Sequence, residues 1–184
     1  VCHHLSLVLL SILSAIWPPA PEPPPPWPVA RVFPATVTGV SPSGARVTYV
    51  LAGVAPTASC REAFQRDAVP PGCRTTLRAT YADSTQTFVA TVGVAVLDRP
   101  RAGLRGAGRP ATVRPVAFPG GPAERFGERQ YVTGVVVPCA ERYLVATAAG
   151  YADGRAYQPG DLVMPRLRDA AWQLAAALHR TLSV

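Results

Sequence analysis

The sequence predicts an α+β domain, in which a mainly antiparallel sheet carries a short disulfide-linked helix and a C-terminal amphipathic helix packed on it. Three observations lead there. Runs of β-branched residues come in pairs joined by turn chemistry. A serine and a glutamate at helix-cap spacing precede a Pro-Pro-Gly stop, with Cys60 and Cys73 on either side. Leu167, Ala171, Leu174, Leu178 and Leu182 recur at spacings of four, three, four and four, which draws an apolar stripe along one helix.

The first hairpin is expected from Val29 to Thr38 and from Ala45 to Leu51, with Gly-Val-Ser-Pro-Ser-Gly between. In its second arm Val47, Tyr49 and Leu51 alternate with Arg46, Thr48 and Val50. Ser59 and Glu62 then form a capping box for a short helix from Cys60 to about Ala68, which Pro70, Pro71 and Gly72 end. Cys73 opens the next strand.

Arg74 to Ala82 and Gln86 to Leu97 make the clearest strand pair, turning at Asp83-Ser84-Thr85. Val89, Thr91, Gly93, Ala95 and Leu97 take one face of the second arm, and Phe88, Ala90, Val92, Val94 and Val96 the other. Both faces are largely apolar, so this strand is expected to be central, with at least one face under a helix.

Arg99 to Arg114 breaks the pattern: five arginines, no acid, three glycines and two prolines predict a mobile loop or a degraded helix. Val116-Ala117-Phe118 reads as a short strand and Pro122 to Gly127 as one helical turn. A second hairpin follows, Gln130 to Val137 and Arg142 to Tyr151, with Cys139 in its turn. The last helix is expected from about Pro165 to Leu182. Every close connection is a hairpin, so the helices should cover one face of an antiparallel sheet.

Ahead of this domain (residues 29–184) stand two other segments. Residues 1–17 carry an uncharged apolar run of 13, Leu5 to Trp17. That is shorter than the roughly 20 residues of a full bilayer span and within the range of a signal-peptide core. A tryptophan followed by prolines favours an uncleaved membrane anchor over a cleaved signal or a buried helix. Residues 18–28 contain eight prolines in eleven, which predicts a stiff polyproline II stalk; a ligand for a proline-recognition domain is the rival.

The chain has no lysine and no asparagine, and its 18 basic residues are all arginine. Alanine, glycine, proline and valine are abundant as well, which is the mark of GC-rich coding. The net charge of +7 is therefore weak support for a nucleic-acid partner, and none is expected.

A helix of about eight residues, returned by a proline-glycine turn, can bring Cys60 and Cys73 together. A disulfide there implies an oxidising compartment; two buried free thiols are the alternative. Cys139 is left over, either to pair between chains or to remain a half-buried thiol. No CxxC spacing calls for zinc.

Histidine occurs only at His3, His4 and His179, so the usual base for a nucleophile is missing from the body of the domain. Eleven acids are scattered singly, and Asp83, Asp153 and Asp161 read as turn or cap residues. No catalytic residue, metal site or cofactor is predicted. The best candidate for contact is the arginine-rich stretch, Arg99, Arg101, Arg105, Arg109 and Arg114, facing anionic headgroups or wall polymers. A solvated loop is the competing view.

The stretches CRTTLRATYADSTQTFVATVGVAVL and YLVATAAGYADGR resemble those of actinobacterial single-pass proteins, membrane-anchored or secreted, with a proline-rich stalk and a disulfide-bonded extracytoplasmic domain. The resemblance spans Val32 to Leu182 and carries no functional motif. With no catalytic residues, an expected anchor and a disulfide, the function expected is a non-enzymatic binding or accessory domain of the cell envelope. On that view the N-terminal segment meets the membrane and an envelope protein is the partner. A carrier or sensor of a small apolar ligand or lipid is the alternative, and a hydrolase a minority one.

Overall fold

The computed structural model describes residues 29–99, 113–127, 131–139 and 142–182, with the backbone alone for 131–139. The expected membrane segment, the stalk and most of the arginine-rich stretch lie outside the described residues.

In chain order the elements are α1 (Val29–Val32), β1 (Thr36–Val40), β2 (Arg46–Val54), α2 (Cys60–Ala63), β3 (Cys73–Asp83), β4 (Phe88–Leu97), β5 (Tyr131–Cys139), β6 (Tyr143–Tyr151) and α3 (Met164–Leu182). The strands form one six-stranded sheet in the order β1-β2-β3-β4-β6-β5. Every pairing is antiparallel. The three expected hairpins are present, and β6 rather than β5 lies beside β4, from Phe88↔Tyr151 to Val96↔Tyr143.

Alternation along the strands sends two sets of side chains to two faces. Leu77, Ala79 and Tyr81 of β3 and Phe88, Ala90, Val92 and Val94 of β4 join one core with the predicted stripe of α3. All five stripe residues are buried. The sheet curls around this helix, which touches β1, β4, β5 and β6. Tyr81 also donates a hydrogen bond from its hydroxyl to Pro34 O (2.9 Å), tying the start of the domain to the middle of the sheet.

The other face differs from expectation. Helices do not cover one side alone: α2 lies opposite α3, where Cys60, Ala63 and Phe64 pack on Ala95, Leu97, Leu144, Ala146 and Ala148. A bulge between Leu51 and Gly53 helps here, because it lets Ala52 and Gly53 both serve that second face.

Several local expectations are corrected. Val29–Val32 is a helical turn rather than a strand, closed by Phe33 N–H to Val29 O (3.0 Å). It lowers Val32 and Phe33 into the α3 core, and Pro34 ends it by disfavouring helical backbone at the residue before it. The capping box forms as predicted, but α2 stops at Ala63 instead of Ala68. Phe64 turns extended (φ −114°, ψ 158°) to make a β-bridge with Val113. Val116-Ala117-Phe118 is no sheet strand, and 122–127 forms no helix but a turn over 122–125, with three-residue hydrogen bonds to Gly121 O and Ala123 O. Cys139 ends β5 opposite Tyr143 instead of lying in the turn.

Candidate functional site: the disulfide knuckle and its strap

The site begins with the capping box. Glu62 N–H donates to Ser59 Oγ (3.4 Å), and Glu62 Oε2 accepts from Ser59 N–H (3.1 Å) and Ser59 Oγ (2.9 Å). These bonds hold the glutamate's pKa below its ordinary value. They also start a single helical turn that carries Cys60 inward. Gly72, at φ +74°, makes the return that side chains resist. Cys60 and Cys73 then meet in a disulfide, with Cα atoms 6.1 Å apart, as the sequence predicted. Cys60 is buried and Cys73 half-buried.

The carbonyl end of the knuckle holds a second segment, residues 113–118, here termed the strap. Arg114 N–H donates to Ala63 O (2.7 Å) and Arg114 Nε to Phe64 O (3.0 Å). Two residues on, Val116 is gripped from both sides: its N–H donates to Thr91 Oγ1 (2.9 Å) and its carbonyl accepts from Thr80 Oγ1 (2.7 Å). The two hydroxyls are themselves 2.8 Å apart. Glycines make room at each end. A side chain at Gly93 would collide with Val113, and one at Gly53 with the Phe118 ring.

The arginine-rich stretch is thus placed in part. Arg99 is exposed just past β4, while Arg114 is half-buried and bound to the knuckle. Arg101, Arg105 and Arg109 lie outside the described residues.

Sequence reasoning missed Arg78. It sits in the middle of β3, facing the strap side between Thr76 and Thr80. Its Nε is buried and no described group accepts its proton. Burial lowers its pKa first, Arg114 lowers it further, and Glu62 acts the other way. The available signal was a charge in the middle of a strand, with uncharged residues on both sides from Thr75 to Ala82.

The acidic residues mostly serve turns, as predicted. Asp83 Oδ1 accepts from Thr87 N–H (2.8 Å) and Phe88 N–H (2.9 Å). Asp153 Oδ1 accepts from Arg155 N–H (3.0 Å). Asp161 Oδ2 accepts from Gln158 N–H (3.1 Å) and Tyr151 Oη (2.8 Å). Among the described residues no group of three or more His, Cys, Asp or Glu could hold a metal ion.

Two concavities lined by described residues can be compared with what a ligand needs. One, of about 10 Å³, is bounded by Tyr49, Asp83, Phe88, Arg166 and Asp169 and suits a single water. Burial, then the charges of Asp83 and Asp169, push the Tyr49 hydroxyl there to a pKa of about 12. The other is an open polar cleft of about 230 Å³ among Gln86, Pro122, Glu124, Arg125 and Asp153. The first lies between sheet and α3 but is far smaller than the roughly 300–1,000 Å³ of a small-ligand pocket, and the second lies away from α3.

Among the described residues no helix is long and apolar enough to cross a membrane. No family model, no curated protein and no solved structure matches this chain.

Proposed function

We propose that residues 29–184 form a non-enzymatic binding or accessory domain of the cell envelope, held outside the cytoplasm and reaching an envelope protein partner. The observation that carries this reading is the Cys60–Cys73 disulfide, because such bonds persist in oxidising compartments and are rare in the cytosol. The placement of the polar groups supports binding over turnover: Glu62, Asp83 and Asp161 serve a cap and two turns. Separately exposed apolar side chains support a protein partner. Val40 and Val50 stand exposed on the outer side of β1 and β2, beyond the reach of the strap, and Trp172 is exposed on α3 beside Gln173.

The test is thiol labelling of intact cells with a membrane-impermeant maleimide, on a chain carrying Cys2→Ser and Cys139→Ser. Cys60 and Cys73 should react only after a reductant is added. Recovery of both as free thiols from a cytosolic fraction would overturn the proposal.

A further inference from the structure

Arg78 lies beside α2, the strap and the far end of β2, whose Ala55 N–H bonds to Arg78 O (2.9 Å). Several groups around it are engaged elsewhere. Thr76 Oγ1 donates to Cys60 Sγ (3.7 Å) and Thr80 Oγ1 to Val116 O (2.7 Å). Glu62, the carboxylate whose field reaches Arg78, keeps Oε2 on Ser59. Arg114, the neighbouring guanidinium, directs Nε to Phe64 O. What remains is a half-buried planar cation whose Nε–H has no acceptor among the described residues, with a second positive charge beside it. A buried donor left unsatisfied in a native fold calls for a partner. A guanidinium fork matches two oxygens of one carboxylate or phosphate, and a nearby cation strengthens the hold.

We propose that Arg78 anchors a binding site for a small oxyanion, a phosphate or carboxylate, which approaches the half-exposed side of the guanidinium and lies within the field of Arg114. Nothing in this assignment depends on where the domain resides or on the envelope reading. The ligand is held by the Arg78 fork, while Arg114 supplies charge and keeps its bond to the knuckle. Glu62 opposes binding by repulsion.

The experiment titrates the intact, oxidised chain with inorganic phosphate and with acetate at constant ionic strength in chloride, by calorimetry. Arg78→Gln should weaken the phosphate isotherm about tenfold or more, the range of a charged hydrogen-bond pair. Arg78→Lys should fall between, keeping charge without the fork. Glu62→Gln should tighten binding roughly twofold, and the exposed Arg99→Gln should leave it within about twofold. Circular dichroism and an intact disulfide check that each variant is folded. A second arm measures co-sedimentation with phosphatidylglycerol vesicles. Phosphate binding without vesicle binding assigns a free ion; vesicle binding lost in Arg78→Gln assigns a lipid headgroup; both support the site. Absence of saturable phosphate, acetate and vesicle binding, or binding equal in wild type and folded Arg78→Gln, overturns it.

Discussion

The two faces of the sheet are built on different physics. Under α3, Tyr81, Val92, Val94 and Val145 meet Leu167, Leu174 and Leu178, and attachment comes from apolar area removed from water. Across the sheet, the small residues Thr76, Thr80, Thr91, Ala146 and Ala148 meet a four-residue helix and an irregular strap. That cover is too short to hold by area alone. It is fastened at points instead, by a disulfide, by two hydroxyls around Val116 and by Arg114 on the knuckle carbonyls. Area is non-directional and tolerates change of shape, whereas point fastening depends on each named partner.

Removing apolar volume under α3 should have the largest effect. Leu174→Ala, at a fully buried site, should cost about 2–5 kcal/mol in denaturant unfolding, with the slope unchanged. A loss below 1 kcal/mol would mean that the helix is not what stabilises the sheet. Next comes the covalent point. Cys73→Ser should cost about 3 kcal/mol, since the bond closes a sequence separation of 13, and reductant should destabilise the wild type but not the variant. Equal melting with and without reductant would break the comparison.

The threonine grip should follow. Thr91→Val removes the acceptor of Val116 N–H and the neighbour of Thr80 Oγ1, at a cost of about 1–3 kcal/mol. The two hydroxyls act as a unit, so Thr80→Val with Thr91→Val should cost less than the sum of the single changes, as a double-mutant cycle would measure. Additive losses would show that the hydroxyls work separately.

The smallest expected effect is seen only in alkali. Tyr49 keeps its proton to about pH 12 in the fold, against an ordinary value of 10.0. The unfolded chain therefore deprotonates first, and stability that is complete below pH 10 falls as pH rises toward 12. Burial moves Tyr81 in the same direction. Thermal melts at pH 9 and pH 11 should show this fall, and Tyr49→Phe should reduce it; an unchanged slope in the variant would move the cause elsewhere.

What was legible in the sequence follows the same division. The α3 stripe, the β3–β4 pair and the knuckle are written in short-range periods and turns, so residues within a few positions of each other predict them. The strap is not. Phe64 ends α2 early because it bridges to Val113, far along the chain, and no local signal announces that contact. Arg78 was passed over for a related reason: in a chain whose basic residues are all arginine, one more carries little weight until its neighbours are known. The composition hides a detail of one predicted turn as well. Gln86 takes a left-handed backbone (φ +54°) at the tip of the β3–β4 hairpin, a place that usually advertises itself with glycine or asparagine, and this chain has no asparagine.

Gln173 has a consequence for the behaviour of many copies together. Its amide faces the border of the sheet, accepting from Val40 N–H (2.7 Å) and donating to Val40 O, so a side chain completes the rung that another strand would otherwise supply. An open border of this kind is a template on which neighbouring molecules add and fibres grow. By occupying the last position of a five-residue strand, one glutamine shortens that template and should oppose such association. Gln173→Ala should leave the melting temperature nearly unchanged and raise light scattering on prolonged incubation.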